Sequence, residues 1–148
     1  MNTKITSVLL TSLFIIPFAC SNNSTGPDNQ LTPAQVAGEY QSTTFTVQLP
    51  NGTFDILSLG GFINMTLTQN QTTTGRLFIP DTLGLGSEDG GDFDMNLQGT
   101  YAISGKTITF QQNADTFVRD MTWTYDNGTL SGSDTFSEAT ITVTLRKK

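Results

Sequence analysis

The chain has 148 residues, 36% of them hydrophobic and 14% charged, with a net charge of −6 and no histidine. The acidity argues against nucleic acid, whose phosphates need clustered Lys and Arg, and against a broad electrostatic membrane face. The lack of His removes the commonest acid–base group and transition-metal ligand, while the apolar content is enough for one cored domain.

In chain order, residues 1–19 read as a signal peptide. Lys4 supplies the charge, and Ile5–Phe18 is an apolar run too short for a permanent span. Ile16-Pro17-Phe18-Ala19-Cys20 resembles a lipobox, with a small residue directly before a cysteine that becomes the acylated mature N-terminus. Pro17 and Phe18 depart from that pattern. Cys20 is the only cysteine, so no internal disulfide can form, and lipidation with palmitate-type chains is the leading reading. Cleavage after Ser21, releasing a secreted or periplasmic protein, and a retained anchor are the alternatives. Residues 20–35 are read as the lipidated Cys and a flexible tether, since Ser21–Gln30 has no apolar residue. Acyl chains would supply membrane affinity at about 0.8 kcal/mol per buried CH₂. Ser21 after the Cys, by resemblance to enterobacterial lipoproteins, points to the outer membrane of the cell envelope.

Leu31–Ala37 can make one helical turn, with Thr32 as N-cap and Pro33 in the first helical position. From residue 36 to 148 the chain is threonine-rich and alternates, with turn signals about every 10 residues, which predicts an all-β barrel or sandwich. Three turns predict registers. Asn51-Gly52 places Leu49 opposite Phe54 and Val47 opposite Ile56. Ser104-Gly105 places Tyr101 opposite Ile108 and Phe110 over Gly99. Asn127-Gly128 places Tyr125 opposite Leu130, Trp123 over Gly132 and Met121 opposite Asp134. Phe54 and Ile56 are even-numbered, but Ile63, Met65 and Leu67 are odd. A glycine bulge at Gly60-Gly61 would explain the change of phase. Eight strands follow, at 39–49, 53–69, 74–80, 92–103, 106–112, 116–125, 129–136 and 139–147. They predict a closed antiparallel up-and-down barrel; if Gly60-Gly61 is a turn, a nine-stranded β-sandwich competes.

The arrangement resembles bacterial lipocalin-like lipoproteins. Val36–Tyr40, Gly99–Phe110 and Ile141–Arg146 carry the likeness, with Gly38 and Tyr40 standing as the family's Gly-x-Trp. The resemblance implies a calycin-type barrel, with Arg146 packing over the Tyr40 ring. The tight first hairpin departs from the long loop that family carries there.

Binding chemistry is sought on the inward face. Tyr101, Phe110, Phe117, Trp123 and Tyr125 would line a barrel interior that holds a small apolar or amphipathic ligand. Arg119 and Asp134, on matching faces, would form a polar spot for a carboxylate or headgroup, unless the pair is structural or lies at the rim. The acidic stretch 81–94 could offer carboxylates to calcium, but its spacing is not that of an EF-hand and a solvated loop explains it as well. No metal ligand set, cofactor motif or catalytic constellation is recognised, so an enzyme is not expected. The expected function is a membrane-anchored extracytoplasmic binding module. The alternative is a filled barrel acting by its surface as an envelope assembly factor, inhibitor or complex subunit, with the 81–94 loop as its contact.

Overall fold

The computed structural model describes residues 30–81 and 91–148. The expected signal peptide, Cys20 and most of the expected tether lie outside the described residues, as does the centre of the acidic 81–94 stretch.

Alternating apolar residues drive ten strands: β1 (Gly38–Leu49), β2 (Gly52–Asp55), β3 (Phe62–Leu67), β4 (Thr72–Ile79), β5 (Phe93–Asn96), β6 (Gly99–Ser104), β7 (Thr107–Gln112), β8 (Trp123–Asp126), β9 (Thr129–Phe136) and β10 (Ala139–Lys147). Two helical turns accompany them, α1 (Pro33–Val36) and α2 (Phe117–Asp120). All neighbours are antiparallel, and β10 pairs with β1, which closes the sheet into an eight-stranded up-and-down barrel with two extra strands. Closure removes the sandwich alternative, because two stacked sheets would leave β1 and β10 with open edges.

The two extra strands continue staves that are interrupted. β2 pairs with the second half of β1 and β3 with the first half; β5 pairs with the end of β4 and β6 with its start. Between β2 and β3 the chain makes a turn at 56–60 rather than a one-residue bulge. Ile56 is held there by its N–H to the Phe45 carbonyl at 2.8 Å and accepts from the Gly61 N–H at 2.8 Å. Gly61 is obligatory, since a Cβ would overlap the Ile56 side chain. The neighbouring strand slips in phase too. β1 is bulged between Ser42 and Thr44, so its buried residues pass from Tyr40 to Phe45 and Val47. Both adjacent staves thus change parity at one corner and keep their apolar faces matched.

The third hairpin has the predicted register: Asn127 and Gly128 both have positive φ, Tyr125 is opposite Leu130, and a Cβ on Gly132 would meet the Trp123 ring at 3.3 Å. The other two slide by two residues. Leu49 is opposite Gly52 and Val47 opposite Phe54, because Pro50 takes a turn position and its ring holds φ negative, which a primed turn at Asn51-Gly52 does not need but a Pro50-Asn51 turn does. Ser104 is opposite Thr107 and Tyr101 opposite Phe110, with Gly105 (φ 60) as the first turn residue. Gly99 therefore faces Gln112 rather than Phe110; its Cβ would strike the Gln111 carbonyl. A slide of two leaves every side chain on its expected face.

The predicted strand 116–125 is corrected most. Residues 117–120 form α2, Met121 is its C-cap, and only Trp123–Asp126 is strand. Met121 consequently turns toward Gly132 and not toward Asp134. The Arg146 expectation also fails. Arg146 pairs with Gln41 on the exposed outer face, whereas Tyr40 points inward opposite Lys147. It is Lys147 that covers Gly38.

The barrel interior is filled. Trp123, Tyr40, Phe45, Ile56, Ile63, Met65, Leu67, Leu77, Leu97, Ile108, Met121 and Leu130 are fully buried. One end is sealed by α1, where the Gln35 side chain accepts from the Thr32 N–H at 2.8 Å. Buried Val36 sits beneath, its carbonyl accepting from the Tyr40 hydroxyl, while the Gln35 carbonyl accepts from Tyr125 Oη at 2.9 Å and Lys147 Nζ at 3.2 Å. Burial, with smaller contributions from Tyr125 and Tyr101, pushes the Tyr40 phenol well above the usual tyrosine range. Burial likewise raises Tyr101, whose hydroxyl donates to the Thr68 carbonyl at 2.7 Å.

Candidate binding site at the open end

At the end opposite α1, the 113–122 connection carries α2 across the seam between β7 and β8, which pair at only Thr107–Thr124 and Ile108–Trp123. Val118, fully buried, anchors α2, and its carbonyl accepts from Trp123 Nε1 at 3.0 Å. Phe117 lies beside Phe45, with ring centroids 5.7 Å apart. Its exposed side faces an apolar depression of about 350 Å³. Val47, Ile79, Phe93, Phe117, Phe136 and Ile141 form the walls, and Asp115, Thr116 and Asp120 are the polar part of the lining.

Each anticipated site residue can be placed against this depression. Tyr101, Phe110, Trp123 and Tyr125 pack into the core, with Phe110 edge-on to Trp123 at 5.9 Å. Their apolar surface is largely consumed by other side chains, and none of them lines this depression; Tyr125 instead borders a more polar one at the α1 end, with Gln35, Lys106 and Asp126. Phe117 alone of the set reaches the mouth. Arg119 and Asp134 are not brought together. Arg119 is on α2, bonded to Asp115 and, through Nε at 2.8 Å, to Asp120. Those carboxylates, Asp120 first, raise its pKa above the ordinary guanidinium value. Asp134 is exposed opposite Ile141 and accepts from the Thr135 N–H at 2.7 Å. The helical turn breaks the alternation on which the Arg119–Asp134 pairing depended.

Of the acidic stretch, Asp81 and Asp92 are linked by a hydrogen bond of 3.0 Å from the Asp81 N–H. Asp94 lies on the outer wall, bidentate to Arg76 at 2.7 and 2.5 Å, an ion pair that depresses its pKa. The residues missed from sequence are Val47, Ile79, Phe93, Phe136, Ile141 and Thr116. Ile79, Phe93 and Phe136 are the last inward apolar residues of their staves at this end, and Val47 and Ile141 are one inward position short of it; that shared location was the available signal.

Thr116 is chemically distinct in the depression. It is 5% exposed, it makes no cap hydrogen bond to α2, and among the described residues its Oγ1 has no partner. Thr73 Oγ1 and the Gln112 amide, flanking Gly99 on the inner face, are likewise unpartnered.

No family model, curated protein or solved structure matches the chain.

Proposed function

We propose that this protein is a lipid-anchored, extracytoplasmic binding module whose barrel takes one small amphipathic molecule at its open end. The observation that carries the reading is the apolar depression walled by Phe117, Phe93, Phe136 and four aliphatic side chains. A void of that size is at the lower end of ligand sites, which run from about 300 Å³. The filled interior confines the ligand to the mouth, so a short chain fits and a long acyl chain does not. The lipobox-like Ile16–Cys20 supports anchorage at Cys20 and a place in the cell envelope, at the outer membrane.

The test is thermal unfolding of residues 27–148 with eight-carbon amphiphiles, paired with native mass spectrometry for co-purified small molecules. A ligand at a hundredfold its Kd adds about 2.7 kcal/mol of stability. Stabilisation that Phe117→Ala reduces supports the mouth; no stabilisation by any amphiphile contradicts it.

A second reading, action through the outer surface as an assembly factor, inhibitor or complex subunit, has one observation in its favour. Phe62 and Phe78 stack on the outer wall at 5.6 Å, and Arg76 lies over both at 5.7 and 5.9 Å. An aromatic patch with an Arg is the composition of a protein contact. Phe62→Ser with Phe78→Ser would abolish that activity and leave amphiphile binding intact.

A further inference from the structure

From the polar lining of the mouth we infer the headgroup class of its ligand: a primary alkylammonium, held by Thr116 Oγ1 and the Asp115 and Asp120 carboxylates. This rests on the mouth being the binding site.

Thr116 is the first observation. A buried hydroxyl with no partner among the described residues costs free energy in the unliganded fold, and Thr116, which carries one, is among the residues that line the depression beside Asp115 and Asp120. Its lone pairs can accept from a ligand N–H. The second observation is charge. Asp115 and Asp120 line the same depression, and Arg119 offsets only one of these two negative charges. Asp92 and Glu138 directly precede the lining residues Phe93 and Ala139 and add to the field. Among the described residues Arg119 is the one cation beside the lining; Arg76 is on the outer wall in its ion pair with Asp94, and Lys106, Arg146, Lys147 and Lys148 are at the end sealed by α1. A carboxylate head would meet repulsion at the mouth and find Arg119 already engaged. An ammonium meets opposite charge and has three donors, one for Thr116 Oγ1 and the others for carboxylate or water. The apolar void holds on the order of ten non-hydrogen atoms at a liquid-like share near 30 Å³ each, which suits an eight-carbon tail.

The experiment titrates octylamine, octanol and octanoate into the full chain by calorimetry, below their critical micelle concentrations, with Thr116→Val alongside. Octylamine is expected to bind at least tenfold more tightly than octanoate. Thr116→Val is expected to weaken octylamine about tenfold, in line with a lost charge-assisted hydrogen bond, while leaving the unliganded Tm unchanged or higher, because valine keeps the β-branch and removes the orphan hydroxyl. A Thr116 with a purely structural role would give the opposite, a lower Tm and unchanged binding, and would overturn the inference. Equal binding of all three probes overturns the headgroup assignment and leaves the mouth standing. No binding by any of them removes both.

Discussion

Tyr40 shows how one residue couples the helical turn to the barrel. Its ring is core, and its hydroxyl closes onto the Val36 carbonyl, fixing α1 over the end of the barrel. Tyr40→Phe keeps the ring and is expected to cost about 1 kcal/mol in denaturant unfolding. The raised pKa values of Tyr40 and Tyr101 set a pH dependence. Both phenols hold their protons more tightly folded than unfolded, so this stabilisation is complete below the ordinary tyrosine value near 10 and is lost as pH rises above it. Unfolding midpoints should fall steeply in alkali, and less steeply in Tyr40→Phe. Gly99 has a different duty. Its missing Cβ lets β7 approach, so Gly99→Ala, which would drive a methyl into the Gln111 carbonyl, is expected to destabilise by about 2 kcal/mol or more.

Among the elements, α2 contributes most to the proposed binding mouth. It fills the seam that β7 and β8 leave and presents Phe117 and Thr116 to the mouth. Met121, its C-cap, is 1% exposed against Gly132, and Met121→Ala is expected to cost about 2–5 kcal/mol, read as a lower midpoint with an unchanged denaturant slope. The sequence concealed α2 because Phe117, Arg119, Met121, Trp123 and Tyr125 alternate like a strand. The contrary signal was Val118, apolar and out of that phase, with Met121 three residues on and Thr116 ahead as N-cap. Elsewhere the alternation was legible: the inward set of β5 and β6 ran through the break at Leu97 without changing face. Hairpin register was legible only where the turn dipeptide acted alone. Asn127-Gly128 did; Pro50 displaced the turn at Asn51-Gly52, and Gly105 took the first place in its own turn rather than the second. The mouth was not legible because its walls come from β1, β4, β5, α2, β9 and β10, which only barrel closure brings together.

At the scale of the whole barrel, the two ends differ, among the described residues, in both covering and charge. The chain enters at Gln30 beside the sealed, lysine-rich end, and the acidic apolar mouth lies at the other. A tether from Cys20 would therefore join the barrel at the end opposite the mouth. Cys20→Ser is expected to remove the acyl mass and move the protein from the membrane to the soluble fraction; a variant that remains membrane-bound contradicts the anchor. The most direct measurement is of the mouth itself. Octylamine titrated into uniformly ¹⁵N-labelled residues 27–148 should shift amide resonances around Val47, Ile79, Phe93, Thr116, Phe117 and Ile141 and leave those of Tyr101, Ile108 and Leu130 in place. Shifts centred on the latter three would mean that the interior opens to ligand, contradicting a filled barrel with its site at the rim.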